Sequence, residues 1–385
     1  MKINNINYLQ SFFNDKKNSF NSNNISKENH EEKNATTSKI RLNKYDNLKG
    51  LAIILVVLGH IIPRFDGFPI YANIYNLIYI FHMPIFFFVA GYFSKVTENS
   101  DLKAFKSLMI PFFVFSILWY VFDYLLRGNV SDLPFILPPS GLWFLLALFF
   151  MKLFLPIFTK IKHMFWLSLI LALLIGICDI PNNILAVSRF LCFTPVFLVG
   201  YYYKNSEKYL NNLKPKIKKA MIIVRDFIYN NKLILVIILI VSLIIIDIIG
   251  NYILPGRFTF RLSYMGLHQG IKYGMLKRLF VISAGIIITF LITLLMTDKK
   301  SFLTKIGRNS LAIYLLHFYL IVFSNMFITK THIGHLISHN VVFSGIYLVV
   351  ATMIIVIILS PNIFNDSIRK LNDYVWDIFF KIPIK

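Results

Sequence analysis

Long apolar runs alternate with short polar, basic segments along most of the chain. Residues 233–249 and 341–359 are nearly free of charge. An uncharged run of about 18 residues or more is long enough to cross the hydrocarbon of a bilayer as a helix. The pattern predicts ten spans, at 48–63, 72–94, 106–126, 141–159, 163–179, 184–203, 232–253, 278–297, 309–328 and 341–360. The fold class is therefore all-α, a polytopic membrane protein. Residues 45–361 form the membrane domain, and 362–385 a short segment beyond it.

Composition agrees with the pattern. Only 15% of the 385 residues are charged, against about 25% in ordinary soluble domains. The net charge of +22 is explained by loop lysines and arginines that orient the spans. Segment 204–231 carries Lys204, Lys208, Lys214, Lys216, Lys218, Lys219 and Arg225, whereas linkers 64–71, 127–140 and 180–183 hold only Arg64 and Arg127. With an even number of spans, both termini are expected in the cytoplasm. No nucleic-acid-binding motif accompanies the basic charge. Residues 1–44 are polar and rich in Asn, Lys and Ser, and are expected to be a disordered cytoplasmic tail. The Asn-, Lys- and Ile-rich composition points to a low-GC bacterium, and so to its plasma membrane.

Three histidines fall inside the apolar runs: His60, His82 and His317. Ionisable side chains in hydrocarbon are costly and mark functional sites by default. With a rise of about 1.5 Å per residue, they lie about 18, 15 and 12 Å from the ends at which their spans begin. His82 enters from the face opposite the other two, so all three come to similar depth and can line one cavity. Histidine titrates near neutrality and suits general base chemistry. Pro84 follows His82 by two residues and frees a backbone carbonyl one turn back.

Basic residues form a second group. Lys49 sits at the inner end of the first span, and Lys103 and Lys106 lead into the third at a spacing that places them on one helix face. Such a pair suits the phosphates of a nucleotide-bearing donor, or serves only to orient the span. The outer linker 254–277 is unusually basic and aromatic, with Arg257, Arg261, Lys272, Lys277, Tyr264, His268 and Tyr273. It reads as an interfacial anchor or as a lid over an anionic or sugar ligand. Cys178 and Cys192 have no metal-binding spacing and are expected to be small buried residues rather than a disulfide. No metal site is expected, His332, His335 and His339 lacking carboxylate or thiolate company.

These stretches together resemble the acyltransferase-3 group of integral membrane proteins, and most closely its fucose 4-O-acetylase and cell-surface polysaccharide O-acetyltransferase branch. The resemblance rests on Tyr45-Asp46-Asn47-Leu48-Lys49-Gly50 with Gly59-His60, on Phe81-His82-Met83-Pro84 followed by Phe86-Phe87-Phe88 and Gly91, and on Lys103-x-x-Lys106 with Pro111. It continues through Leu142-Trp143-Phe144-Leu145, Arg189-Phe190 with Gly200, and Ser310 to His317. The chain carries Lys-x-x-Lys where the family often has Arg-x-x-Arg.

The resemblance implies transfer of an acyl group, usually acetyl from acetyl-CoA, to a hydroxyl of a surface glycan or its lipid-linked precursor. His60 is then the catalytic histidine, helped by His82 and His317. Lys49, Lys103 and Lys106 face the acyl-CoA, and Asp46, Trp143, Arg189, Arg257 and Arg261 are the candidate acceptor contacts. The competing expectation is an exporter of a polysaccharide such as poly-N-acetylglucosamine, since the same branch includes proteins of that kind.

Overall fold

The computed structural model describes residues 42–128, 136–139, 141–178, 184–206, 215, 219, 231–250 and 260–380. The polar tail up to residue 41, Arg257, and most of the basic segment 204–231 lie outside the described residues. Every element within them is helical, with no strand among the described residues.

Helix α1 (Asn43–Ile61) continues through a 3-10 turn to Phe65, and α2 is Pro69–Phe93. Helix α3 (Ser100–Leu126) contains a wide π turn at Phe105–Met109. Then come α4 (Trp143–Phe158), α5 (Met164–Leu174), α6 (Val187–Lys204), α7 (Lys232–Ile248) and α8 (Ile271–Leu295). The rest are α9 (Phe302–Arg308), α10 (Ser310–Lys330), α11 (His332–Ser338), α12 (Val341–Leu359) and α13 (Asn362–Phe379).

Each predicted span holds an apolar helix. Among the described residues, seven helices are long and apolar enough to cross a membrane, while α4 and α5 are shorter and α7 has 17 residues. Two boundaries move in ways that matter. Helix α1 begins at Asn43 rather than 48, so Asp46 and Lys49 belong to its first two turns. Helix α8 begins at Ile271 rather than 278, which takes Lys272 and Lys277 out of the outer linker. Helix α9, between predicted spans, starts where the Thr304 hydroxyl accepts from the Ser301 backbone N–H at 2.8 Å.

The bundle is packed through close backbone crossings. A side chain at Gly91 would strike the Phe197 carbonyl, and one at Gly200 the Phe88 carbonyl, so α2 and α6 meet glycine to backbone. Helix α1 meets α9 the same way, with Gly50 against Leu303 and Gly307 against Asp46. Around this core, α3, α7 and α12 turn rows such as Ile117, Val121, Ile237, Val241, Ile346 and Val349 outward. Such a perimeter of exposed large apolar residues suits hydrocarbon and not water.

Helix α13 was not expected from the sequence. Ile368 and Trp376 are buried against the bundle while Asp366, Lys370 and Asp377 face away, a period of 3.6 that stands out only in a mixed polar and apolar segment.

Candidate active site

The histidines arrive from three helices. His60 lies in the last turn of α1, His82 in the middle of α2, and His317 in the middle of α10. The His60 ring stands 5.4 Å from His317, 4.5 Å from Phe318 and 6.4 Å from Tyr79, between ring centres. His82 touches the other side of Tyr79 at 4.7 Å. Helical depth alone predicted this gathering, and the structure brings all three residues together.

The hydrogen bonds distinguish their roles. The His82 Nδ1–H donates to the Ile78 carbonyl at 2.7 Å. The His317 Nδ1–H donates to the Tyr314 and Ile313 carbonyls at 2.7 and 3.1 Å. A carbonyl only accepts, so in both rings the proton sits on Nδ1 and a neutral ring offers its lone pair at Nε2. His317 is wholly buried, and its Nε2 has no hydrogen-bond partner among the described residues. His60 makes no hydrogen bond to the described residues and lines the cavity directly. Pro84 leaves the Ile80 carbonyl without its helical donor. That carbonyl faces Gly285 of α8 rather than the cavity, so the proline serves helix packing here.

The cavity has a volume of about 510 Å³. His60, His82, Tyr75 and Tyr79 form one wall, and Trp143, Arg189 and Phe193 another. The Arg189 guanidinium lies 4.4 Å from the centre of the Trp143 ring, which itself stacks on Phe193. The cation–π contact fixes the guanidinium as a positive group at the cavity wall.

Residues 261–267 of the basic, aromatic linker complete the cavity. Arg261, Leu262 and Leu267 line it, so this segment covers the site and is more than an interfacial anchor. Two residues fix it in place. The Tyr264 hydroxyl donates to the Leu173 carbonyl at 2.8 Å, and the Tyr264 ring sits 4.9 Å from the guanidinium of Arg278. Arg278 in turn donates to the Ala172 carbonyl at 3.2 Å and the Leu262 carbonyl at 3.1 Å. Tyr264 was named in the sequence only as one of the aromatic residues of this segment, and Arg278 was not singled out.

The remaining predicted residues lie elsewhere. Asp46 is buried, 3.0 Å from the Lys49 ammonium and 3.4 Å from Arg308, and does not reach the histidine cavity. Lys49 lines a second cavity at the opposite end of α1. Lys103 is exposed, while Lys106 pairs with Asp373 at 2.7 Å and lies 5.7 Å over the Trp376 ring. The π turn between Ala104 and Ile110 breaks the spacing that would have set the two lysines side by side. Cys178 and Cys192 are both free; Cys192 is buried as expected, but Cys178 is exposed. The His335 and His339 rings stack 4.1 Å apart, and no metal-binding group occurs among the described residues.

Asn47 is a structural residue that the sequence did not single out. Its Nδ2 donates to the Thr297 and Lys299 carbonyls at 2.9 and 3.0 Å. Its Oδ1 accepts from the Ser301 and Thr304 hydroxyls at 3.0 and 2.6 Å. Every polar atom of this buried amide is thereby used, locking the start of α1 to the turn before α9.

This arrangement belongs to a known class. The chain is a member of the acyltransferase-3 family, matching its acyltransferase domain over residues 42–360. It is a multi-pass membrane acyltransferase. No curated protein and no solved structure matches it significantly.

Proposed function

We propose that this acyltransferase is an O-acetyltransferase of the fucose 4-O-acetylase-like branch, moving an acetyl group from cytoplasmic acetyl-CoA to a hydroxyl of a surface polysaccharide or its lipid-linked precursor. The observation that carries the reading is the shared cavity of His60, His82, Arg189 and Trp143 in a chain of this family. The excess of loop lysines and arginines supports both termini lying in the cytoplasm of a bacterial cell, with the Lys49 end of α1 toward the CoA pool.

The chemistry follows from the rings. His60 removes the acceptor hydroxyl proton as the oxygen attacks the thioester carbonyl. The carbon–sulfur bond breaks, and the proton held by His60 passes to the departing thiolate, giving ester and free CoA. His317, its ring 5.4 Å from that of His60, orients the charged form of His60, and His82 stands on the same wall across Tyr79. Trp143 holds the Arg189 guanidinium against the cavity wall, and Arg189 and Arg261 hold the acceptor's oxygens.

The test is the acetate content of surface glycan in cells carrying His60→Ala. Acetate lost while glycan is still exported supports the reading. Unchanged acetate with the protein present in the membrane refutes it, and loss of the exported glycan itself points to an exporter.

A further inference from the structure

A second cavity, of about 260 Å³, lies at the Lys49 end of the bundle. Its lining continues that of the first along the same helices. On α2, the histidine cavity takes Tyr75, Tyr79 and His82, and the second takes Phe86, Val89 and Phe93. These positions repeat every three or four residues, so both cavities sit on one face of α2 at successive turns. On α1, Lys49 lines the second cavity while Val56 and His60 line the first. The chambers are therefore stacked end to end along the bundle.

Tyr314 lines both. It is buried, its hydroxyl donates to the Gly141 carbonyl, and its ring packs 5.4 Å from Phe144 and 6.0 Å from His317. The side chain thus stands between the chambers, tied across from α10 to Gly141, two residues before α4.

The second chamber has an uncommon lining. Its walls are hydrocarbon, from Phe86, Val89, Leu145 and Leu148, yet two lysines point into it. Lys49 is paired with Asp46. Lys152, half-buried on α4, has no acidic partner among the described residues. A cation held in an apolar cavity without a counter-ion is costly unless an anion joins it. Lys49 and His60 are about 16 Å apart along α1, a distance suited to an extended flexible arm with an anion at one end and a reactive group at the other.

We propose that this chamber binds the phosphate-bearing end of the acyl donor through Lys152, and that Tyr314 is the partition the acyl arm must pass to reach His60. The donor being acyl-CoA rests on the function proposed above; the anion site rests on Lys152 and the stacked chambers. A phosphate in this chamber has two sources, acyl-CoA and an anionic lipid, and the experiment separates them.

The full chain is reconstituted in nanodiscs of phosphatidylcholine, with or without phosphatidylglycerol, and equilibrium binding of acetyl-CoA is measured. Lys152→Gln is expected to weaken acetyl-CoA binding by about tenfold or more, the loss typical of a charged hydrogen bond, with Lys152→Arg largely retaining it. Tyr314→Phe is expected to bind acetyl-CoA as the wild type does and to transfer at a changed rate. Equal acetyl-CoA binding by wild type and both Lys152 variants, all monodisperse, overturns the proposal and leaves the acyltransferase reading standing. Loss of retained phosphatidylglycerol in Lys152→Gln with unchanged acetyl-CoA binding assigns the chamber to lipid and likewise overturns it. A wild type that binds no acetyl-CoA overturns the donor reading itself.

Discussion

His60 and His317 face each other with ring centres 5.4 Å apart, on helices that begin at the same end of the bundle. One ring lines the cavity and makes no hydrogen bond to the described residues; the other is wholly buried and pinned by two carbonyls. That asymmetry is what the proposed function uses in giving His60 the reacting role and His317 the orienting one. His60→Ala is expected to lower transfer by about 10² to 10⁴, the usual worth of a general base. His317→Asn, which keeps a donor for the helix carbonyls but removes Nε2, is expected to fall in rate and to shift the pH profile of kcat. A profile identical to wild type shows that His317 only packs.

Arg189 and Trp143 are paired at the cavity wall, and the proposed function gives Arg189 the acceptor. Arg189→Lys keeps the charge but loses the planar group that stacks on the indole. Its expected effect is an acceptor KM raised about tenfold, a loss of about 1.4 kcal/mol, with kcat less affected. Steady-state kinetics with varied acceptor concentration measures the split, and a fall confined to kcat contradicts the binding role.

The outer segment is held by Tyr264, and its attachment depends on pH in a definite direction. Burial pushes the Tyr264 phenol above its ordinary value near 10, outweighing the opposing pull of Arg278. The neutral hydroxyl is the form that donates to Leu173, so its contribution is complete below pH about 10 and fades as pH rises through the raised value. Tyr264→Phe should cost about 1 kcal/mol at neutral pH and flatten the alkaline limb of the stability curve. Thermal unfolding in detergent across alkaline pH reads both effects.

Helix α13 is attached by contacts of unequal worth. The Lys106–Asp373 pair is partly exposed on one side and half exposed on the other, so Asp373→Asn should cost less than about 1 kcal/mol. Trp376 is 1% exposed and stacks on Phe380, and Trp376→Ala should cost about 3–5 kcal/mol. Limited proteolysis of the C-terminal segment should distinguish the two variants, only the tryptophan variant being cut readily.

The histidine cluster was legible because depth in a membrane is a matter of counting residues, and helical rise varies little. Trp143, Arg189 and Arg261 were also found, the first two through the resemblance and Arg261 through an unusual density of basic residues. What counting does not give is rotation about the helix axis. Lys103 and Lys106 share a face only on a regular helix, and the π turn removes that condition. Lys152 was overlooked for a related reason. A lone lysine inside an apolar run reads as a charge near the membrane surface, and only the packing of α4 against α2 and α10 shows that it faces a chamber. Asp46 came in through the resemblance, and its ion pairs run to Lys49 on α1 and to Arg308, more than 250 residues away, a partner that no local spacing reveals.

Asn47 and His60 ride on the same helix, about 20 Å apart. The four contacts of the Asn47 amide fasten that helix to the 297–304 turn at the end of the bundle remote from the histidine. A continuous helix transmits displacement like a push-rod. Whatever grips or loosens the 297–304 turn therefore bears on the position of His60 from a distance, without entering its cavity.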